Sequence, residues 1–95
     1  MPRGAPRLRT SDGKKNEIGG RIKARRGALD LTQDGLSARL ADITSGVWVP
    51  DFQEIYRIES GKRIVTTLEL IALAKALDSN PCWLLLGTTD LSHSN

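Results

Sequence analysis

The sequence has few of the residues and patterns that mark disulfide-rich, membrane-spanning or secreted proteins. Its one cysteine, Cys82, excludes an internal disulfide and fits a reducing compartment. No apolar run approaches the roughly 20 residues that cross a bilayer, and no signal peptide is visible at the start. We therefore expect a cytoplasmic protein with no membrane partner.

Residues suited to catalysis are scarce as well. The single histidine, His93, lies in a polar tail, and Cys82 lies in an apolar stretch without a histidine partner. This leaves no pattern for a metal site or a thiol nucleophile. Glu59 is better explained as an ion-pair partner of Arg57 or of an arginine in the first helix than as a general base. We expect neither an enzyme nor a cofactor.

Aromatic residues make up only 4% of the 95 residues, whereas Leu, Ile and Ala are common, which favours helices over strands. No stretch of any length alternates as a strand would, and no segment repeats. A chain of this length supports one modest core. The sequence predicts a single all-α domain of five short helices.

The net charge of +3 is unevenly distributed along the chain. Residues 1–16 carry five basic residues against one acidic residue, a net +4, which leaves about −1 for the rest. This segment has almost no apolar side chains, so we expect a flexible basic arm, either a DNA-binding extension or a passive leader. The folded domain is expected at 17–87, and a disordered polar tail at 88–95.

One stretch, residues 51–63, combines a helix start, an apolar stripe and a basic end. Asp51 is a suitable N-cap, and Glu54 is placed to complete a capping box. Ile55 and Ile58 would share the buried face. The rest of the surface presents amide and guanidinium groups, which match base edges in a DNA major groove in pairs of hydrogen bonds. An ordinary amphipathic surface helix is the alternative.

Caps and breakers predict the other helices, at 15–27, 32–40, 66–78 and 81–86. Thr32, Thr66 and Asn80 are expected as N-caps, and Gly61 and Gly87 as stops. The apolar positions expected in the core are Ile18, Ile22, Leu36, Leu40, Ile55, Ile58, Leu70, Ile71, Leu73 and Leu77.

The connection between the second and third helices is too long for a tight helix-turn-helix turn. Ser45-Gly46 indicates a turn, and Pro50 disfavours helix at Val49. Trp48 is expected as a hydrophobic plug rather than a ligand contact. The extra length near residues 43–50 either extends the second helix or forms a loop against DNA or a partner subunit.

Five segments, in this order and spacing, form a recognisable pattern: Ile18-Gly-Gly-Arg-Ile22-Lys-Ala-Arg, Leu31-Thr-Gln-Asp-Gly-Leu36, Ile55-Tyr-Arg-Ile-Glu-Ser-Gly-Lys62-Arg63, Leu70-Ile-Ala-Leu-Ala-Lys-Ala-Leu77 and Pro81-Cys-Trp-Leu-Leu. Together, over about residues 17–87, they resemble the lambda repressor and Cro family of helix-turn-helix regulators, also called Xre-type. The resemblance implies a compact five-helix lambda-repressor-like domain that binds double-stranded DNA, usually as a homodimer. The enlarged loop between the motif helices departs from the family, and so does Ser37, where relatives usually have alanine.

The resemblance implies a recognition helix at 51–60. Phe52, Gln53 and Arg57 would face base edges, where they suit a thymine methyl, adenine and guanine respectively. The residues expected to contact phosphate are Gln33, Tyr56, Lys62 and Arg63. The plainer alternatives are phosphate or solvent contacts for Gln53 and Arg57, packing of Phe52 on the enlarged loop, and a solvated basic loop at 62–63.

The function that follows is a sequence-specific transcriptional regulator that binds an inverted-repeat operator as a homodimer. A repressor is the simpler mechanism, because occupancy alone can block polymerase. The alternative is an antitoxin-type or other protein-interaction module with secondary DNA binding. The residues expected to form the dimer contact, unless they pack inside the monomer, are Trp83, Leu84, Leu85 and Leu86.

Overall fold

The computed structural model describes residues 8–89, and within them the chain forms five α-helices and no strand. The helices are α1 Gly19–Ala28, α2 Gln33–Ile43, α3 Phe52–Glu59, α4 Thr67–Ala76 and α5 Pro81–Leu86. The prediction of five short helices in an all-α domain is confirmed. None of these helices is long and apolar enough to cross a membrane. Residues 1–7 of the predicted arm and residues 90–95 of the predicted tail, including His93, lie outside the described residues.

Four helices begin at the side-chain caps that the sequence predicts. The caps of α2, α3 and α5 accept hydrogen bonds from backbone N–H groups of the first turn, and Thr66 and Glu69 complete a reciprocal capping box on α4. Gly61 and Gly87 have φ of +78° and +79°, the left-handed region that favours glycine at a helix end. The local signals therefore predict most helix ends correctly.

The start of α1 is the exception, because α1 begins at Gly19 rather than at Lys15. The Asn16 side chain accepts hydrogen bonds from the N–H groups of Ile18 and Gly19, at 3.1 and 2.8 Å. Its amide nitrogen donates to the carbonyl oxygens of Ile58 and Arg63, at 3.1 and 2.8 Å. These contacts hold Asn16 against the end of α3, outside a helix. The last residues of the expected flexible arm are thus bound to the fold.

The core contains most of the predicted apolar positions, with Leu70 packed at its edge and Leu84 added from α5. Ile71 is a correction, because its side chain is 46% exposed. At about 100° per residue, Ile71 lies roughly 200° around α4 from the fully buried Leu73. Since α4 packs against α2 and α5 on the Leu73 side, Ile71 faces away from the core.

The enlarged connection extends the second helix, as one of the two alternatives predicts, and the rest of it forms a loop. α2 extends to Ile43, beyond the predicted end at Leu40, and a loop then leads to the Asp51 cap of α3. Ser45 and Gly46 form the expected turn, with φ of +53° and +82°. Trp48 packs against the core, in agreement with its predicted role as a hydrophobic plug.

Candidate nucleic-acid interface

Helix α3 has one buried face and one exposed face. Ile55 and Ile58 are buried in the core. Four residues predicted to contact DNA lie on the exposed part of the helix: Phe52, Gln53, Tyr56 and Arg57. The helical spacing of the sequence predicts this division, because residues three or four apart share a face.

These four side chains line one open groove together with Gln33, the first residue of α2. Gln33 lies 19 or more positions earlier in the chain than the others, so only the packing of α2 against α3 brings it there. The Gln33 amide nitrogen donates to Glu59 Oε1 at 3.4 Å. The structure thus joins five of the seven predicted DNA-contacting residues on one surface.

An ion pair from α1 holds the C-terminal end of α3 in place. Arg26 donates two hydrogen bonds to the Glu59 carboxylate, from Nε at 2.6 Å and from a terminal nitrogen at 3.0 Å. Arg26 also donates to the carbonyl oxygen of Leu31 at 2.8 Å. The hydrogen bonds to Glu59 raise the pKa of Arg26. Because Glu59 is buried, this ion pair holds the last turn of α3 against α1 and fixes the orientation of that end of the helix.

A close backbone approach also joins these two helices. A Cβ on Gly19 would clash with the carbonyl oxygens of Ile58 and Glu59, whereas a Cβ on Gly20 would meet no atom within 4 Å. The absence of a side chain at Gly19 therefore allows the start of α1 to lie against the end of α3.

The N-terminal end of α3 is capped by one side chain only. Asp51 accepts a hydrogen bond from the Glu54 N–H at 2.9 Å, as predicted. The predicted return contact from the Glu54 side chain does not form, because the Glu54 carboxylate instead accepts a hydrogen bond from Arg63 at 2.8 Å.

Arg63 lies in an ion-pair cluster rather than in the solvated basic loop that was one expectation for it. Its guanidinium donates to both carboxylate oxygens of Glu69, at 2.7 and 2.8 Å, and it lies 5.9 Å from the centre of the Trp48 ring. The hydrogen bonds between Arg63 and Glu69 raise the pKa of Arg63 and hold the pKa of Glu69 below its ordinary value. Arg63 thus ties together α3, α4 and the enlarged connection, with its charge balanced by Glu54 and Glu69.

Lys62 differs from its neighbour in having a free charge. It is exposed, and within residues 8–89 it forms no ion pair. Its Nζ lies 5.5 Å from the centre of the Tyr56 ring, within the range of a cation–π contact. This places a positive charge beside one wall of the groove on α3.

The segment predicted to form a dimer contact is divided between the core and the surface. Leu84 is fully buried and Trp83 packs at the edge of the core. Leu85 and Leu86 are exposed, and with Val65 and Leu70 they line an apolar groove beside the start of α4.

Sequence reasoning missed the partners of Arg63. The sequence predicts a capping contact for Glu54 and gives no local signal for the ion pairs of Arg63 with Glu54 and Glu69. Within residues 8–89, no cluster of His, Cys, Asp and Glu is placed to hold a metal ion.

No protein-family model matches the chain, and a search of curated proteins finds no match to its sequence.

Proposed function

We propose that the protein is a sequence-specific DNA-binding regulator of the lambda repressor and Cro type, in which α3 enters the major groove. The groove shared by Gln33 and the exposed residues of α3 is the observation that supports this proposal most directly. An α-helix with its side chains is about 10–12 Å in diameter, which fits the width of the major groove of B-DNA, and α3 presents four exposed side chains on one part of its surface.

Gln53 and Arg57 are the base-reading residues in this proposal. Both side chains are exposed, and within the described chain neither forms a hydrogen bond through its amide or guanidinium group. Their donors are therefore available for adenine and guanine, the bases that these groups bind in pairs of hydrogen bonds. Phe52 would contact a thymine methyl group beside them.

Phosphate contacts in this proposal come from the edges of the groove. Gln33 lies at the start of α2, where unpaired backbone N–H groups favour an anion, and Lys62 and Tyr56 lie together on another side. Arg63 is reassigned as a positioning residue, because its donors already bind Glu54 and Glu69.

The proposed regulator is a homodimer that acts in the cytoplasm on an inverted repeat with half-sites about 34 Å apart. Leu85 and Leu86 provide exposed apolar side chains for the contact between subunits. Repression is the simplest mechanism, since a bound dimer blocks polymerase without a further domain.

A second candidate function is a protein-interaction module of the antitoxin type. The apolar groove beside Leu85 and Leu86 favours it, because such a groove also suits a partner of a different sequence. In that case DNA binding would be secondary, and a small protein would co-purify with the untagged chain.

Selection of bound DNA from a random oligonucleotide pool tests the first proposal. We expect an enriched motif with two-fold symmetry from the wild-type protein and none from a Gln53→Ala, Arg57→Ala double variant of equal thermal stability. Failure to enrich any sequence, together with no binding to DNA at low salt, would overturn the proposal.

A further inference from the structure

The enlarged connection carries exposed apolar side chains directly before α3. Val47 is 88% exposed and Val49 is 58% exposed, and Phe52, in the first turn of α3, is 53% exposed. Val49 and Phe52 are three residues apart, so their backbones lie within about 11 Å of each other. Phe52 also lines the groove with Gln53 and Arg57.

The two valines are held outward by the residues between and beside them. Trp48 packs against the core and under the Arg63 guanidinium, and Pro50 is fully buried. The Ser37 hydroxyl donates a hydrogen bond to the Pro50 carbonyl oxygen, and the Trp48 N–H donates to the Thr44 hydroxyl oxygen at 2.9 Å. Val49 is thus anchored on both sides, so little freedom would be lost when it binds a ligand.

The chemistry of the connection restricts what it can bind. Residues 44–50 contain no Lys or Arg and no acidic residue, so this segment has no charged side chain to attract a phosphate, and its most exposed side chain is the apolar Val47. The apolar groups that a DNA major groove offers are the C5-methyl groups of thymine. A segment beside a helix in that groove would meet these methyl groups.

We propose that Val47, Val49 and Phe52 form an apolar edge that reads thymine C5-methyl groups in the DNA, next to the bases bound by Gln53 and Arg57. This proposal rests on the proposed function and adds the feature of DNA that the enlarged connection recognises. It assigns the connection a role in specificity and predicts thymines in each half-site beyond the bases read by Gln53 and Arg57.

The test uses the full chain and the DNA duplex obtained by selection. Each thymine of a half-site is replaced in turn by uracil, which lacks only the C5-methyl group. We expect one or more positions at which affinity falls about fourfold, the effect of exposing one buried methyl group. In Val49→Ala the same uracil should no longer weaken binding, whereas Leu68→Ala, an apolar truncation at an exposed position of α4, should retain the full effect.

Several results would overturn this inference. A half-site without thymine would do so, as would uracil sensitivity that Val49→Ala and Val47→Ala leave unchanged. If the valine variants instead alter the oligomeric state while uracil has no effect, the edge is a contact between copies of the chain. In each of these cases sequence-selective binding survives, whereas its complete absence would overturn the proposed function as well.

Discussion

Arg26 of α1 donates two hydrogen bonds, of 2.6 and 3.0 Å, to the carboxylate of Glu59, the last residue of α3. Glu59 is 7% exposed, so its charge is compensated mainly by this arginine. Gln33 also donates to the same carboxylate, so the pair lies behind the groove and positions two of its walls. The orientation of the proposed DNA-binding surface therefore depends on a buried ion pair.

Removal of one partner should destabilise the fold. We expect Glu59→Ala to reduce the free energy of unfolding by about 3 kcal/mol, because the Arg26 guanidinium, whose side chain is only 16% exposed, would lose its counter-charge. Glu59→Gln should reduce it less, since the amide oxygen still accepts one hydrogen bond. Urea unfolding measures both values. An unchanged urea midpoint for Glu59→Ala would show that the pair does not stabilise the fold.

Two adjacent glycines should respond in opposite ways to the same added methyl group. Gly19→Ala should destabilise the protein by about 1–3 kcal/mol or more, because the methyl group meets the carbonyl oxygens at the end of α3. Gly20→Ala has open space and should stabilise the protein by about 0.4–1 kcal/mol, since alanine favours the helix. Thermal unfolding of both variants tests this, and equal effects would refute the close approach of α1 and α3.

Arg57 should determine base preference at one position of the proposed operator. Arg57→Ala should weaken specific binding by about 1–3 kcal/mol and relax the preference for one base. Arg57→Lys is the charge-matched control. It should relax the preference nearly as much, because lysine lacks the two-pronged geometry of guanidinium. Titrations with duplexes altered at each position measure this, and full selectivity in Arg57→Lys would exclude pairing with guanine.

Lys62 should strengthen binding to every DNA sequence alike. We expect Lys62→Ala to weaken specific and non-specific binding and to reduce the slope of log affinity against log salt by about one. Lys75→Ala removes the same charge from an exposed position of α4 and should leave the slope unchanged. Binding titrations between low and moderate salt compare the two variants. An identical slope for both would mean that Lys62 lies away from the phosphates.

The Glu69 carboxylate should make the free energy of unfolding depend on pH. The hydrogen bonds from Arg63 lower its folded-state pKa below the ordinary value of 4.5. The unfolded chain therefore binds the proton more readily, so this contribution is complete above about pH 4.5 and is lost as the pH falls through the folded pKa.

Urea unfolding between pH 3 and pH 7 tests this dependence. Glu69→Gln should lower stability at neutral pH and flatten the loss in acid. Glu17→Gln, which changes an exposed glutamate, should keep the wild-type profile. A Glu69→Gln profile as steep as that of the wild type would assign the acid sensitivity to other groups.

The sequence by itself determined the helix starts at Thr32, Asp51, Thr66 and Asn80, because a capping side chain bonds to N–H groups two or three residues away. It also determined the two faces of α3, since a helix of known register divides its residues between core and solvent. The exposure of Gln53 and Arg57 follows from the same spacing that buries Ile55 and Ile58.

Only the tertiary structure decided where competing partners from distant parts of the chain meet. Asn16 lies outside the first helix, contrary to the prediction, because its side chain donates hydrogen bonds to carbonyl oxygens 42 and 47 residues away. Arg63 is not a solvated loop residue because Glu54 of α3 and Glu69 of α4 both place carboxylates beside it. Ile71 faces outward because only one side of α4 packs against the core. Gln33 reaches the proposed interface through the packing of α2 against α3, a contact that no local pattern of residues specifies.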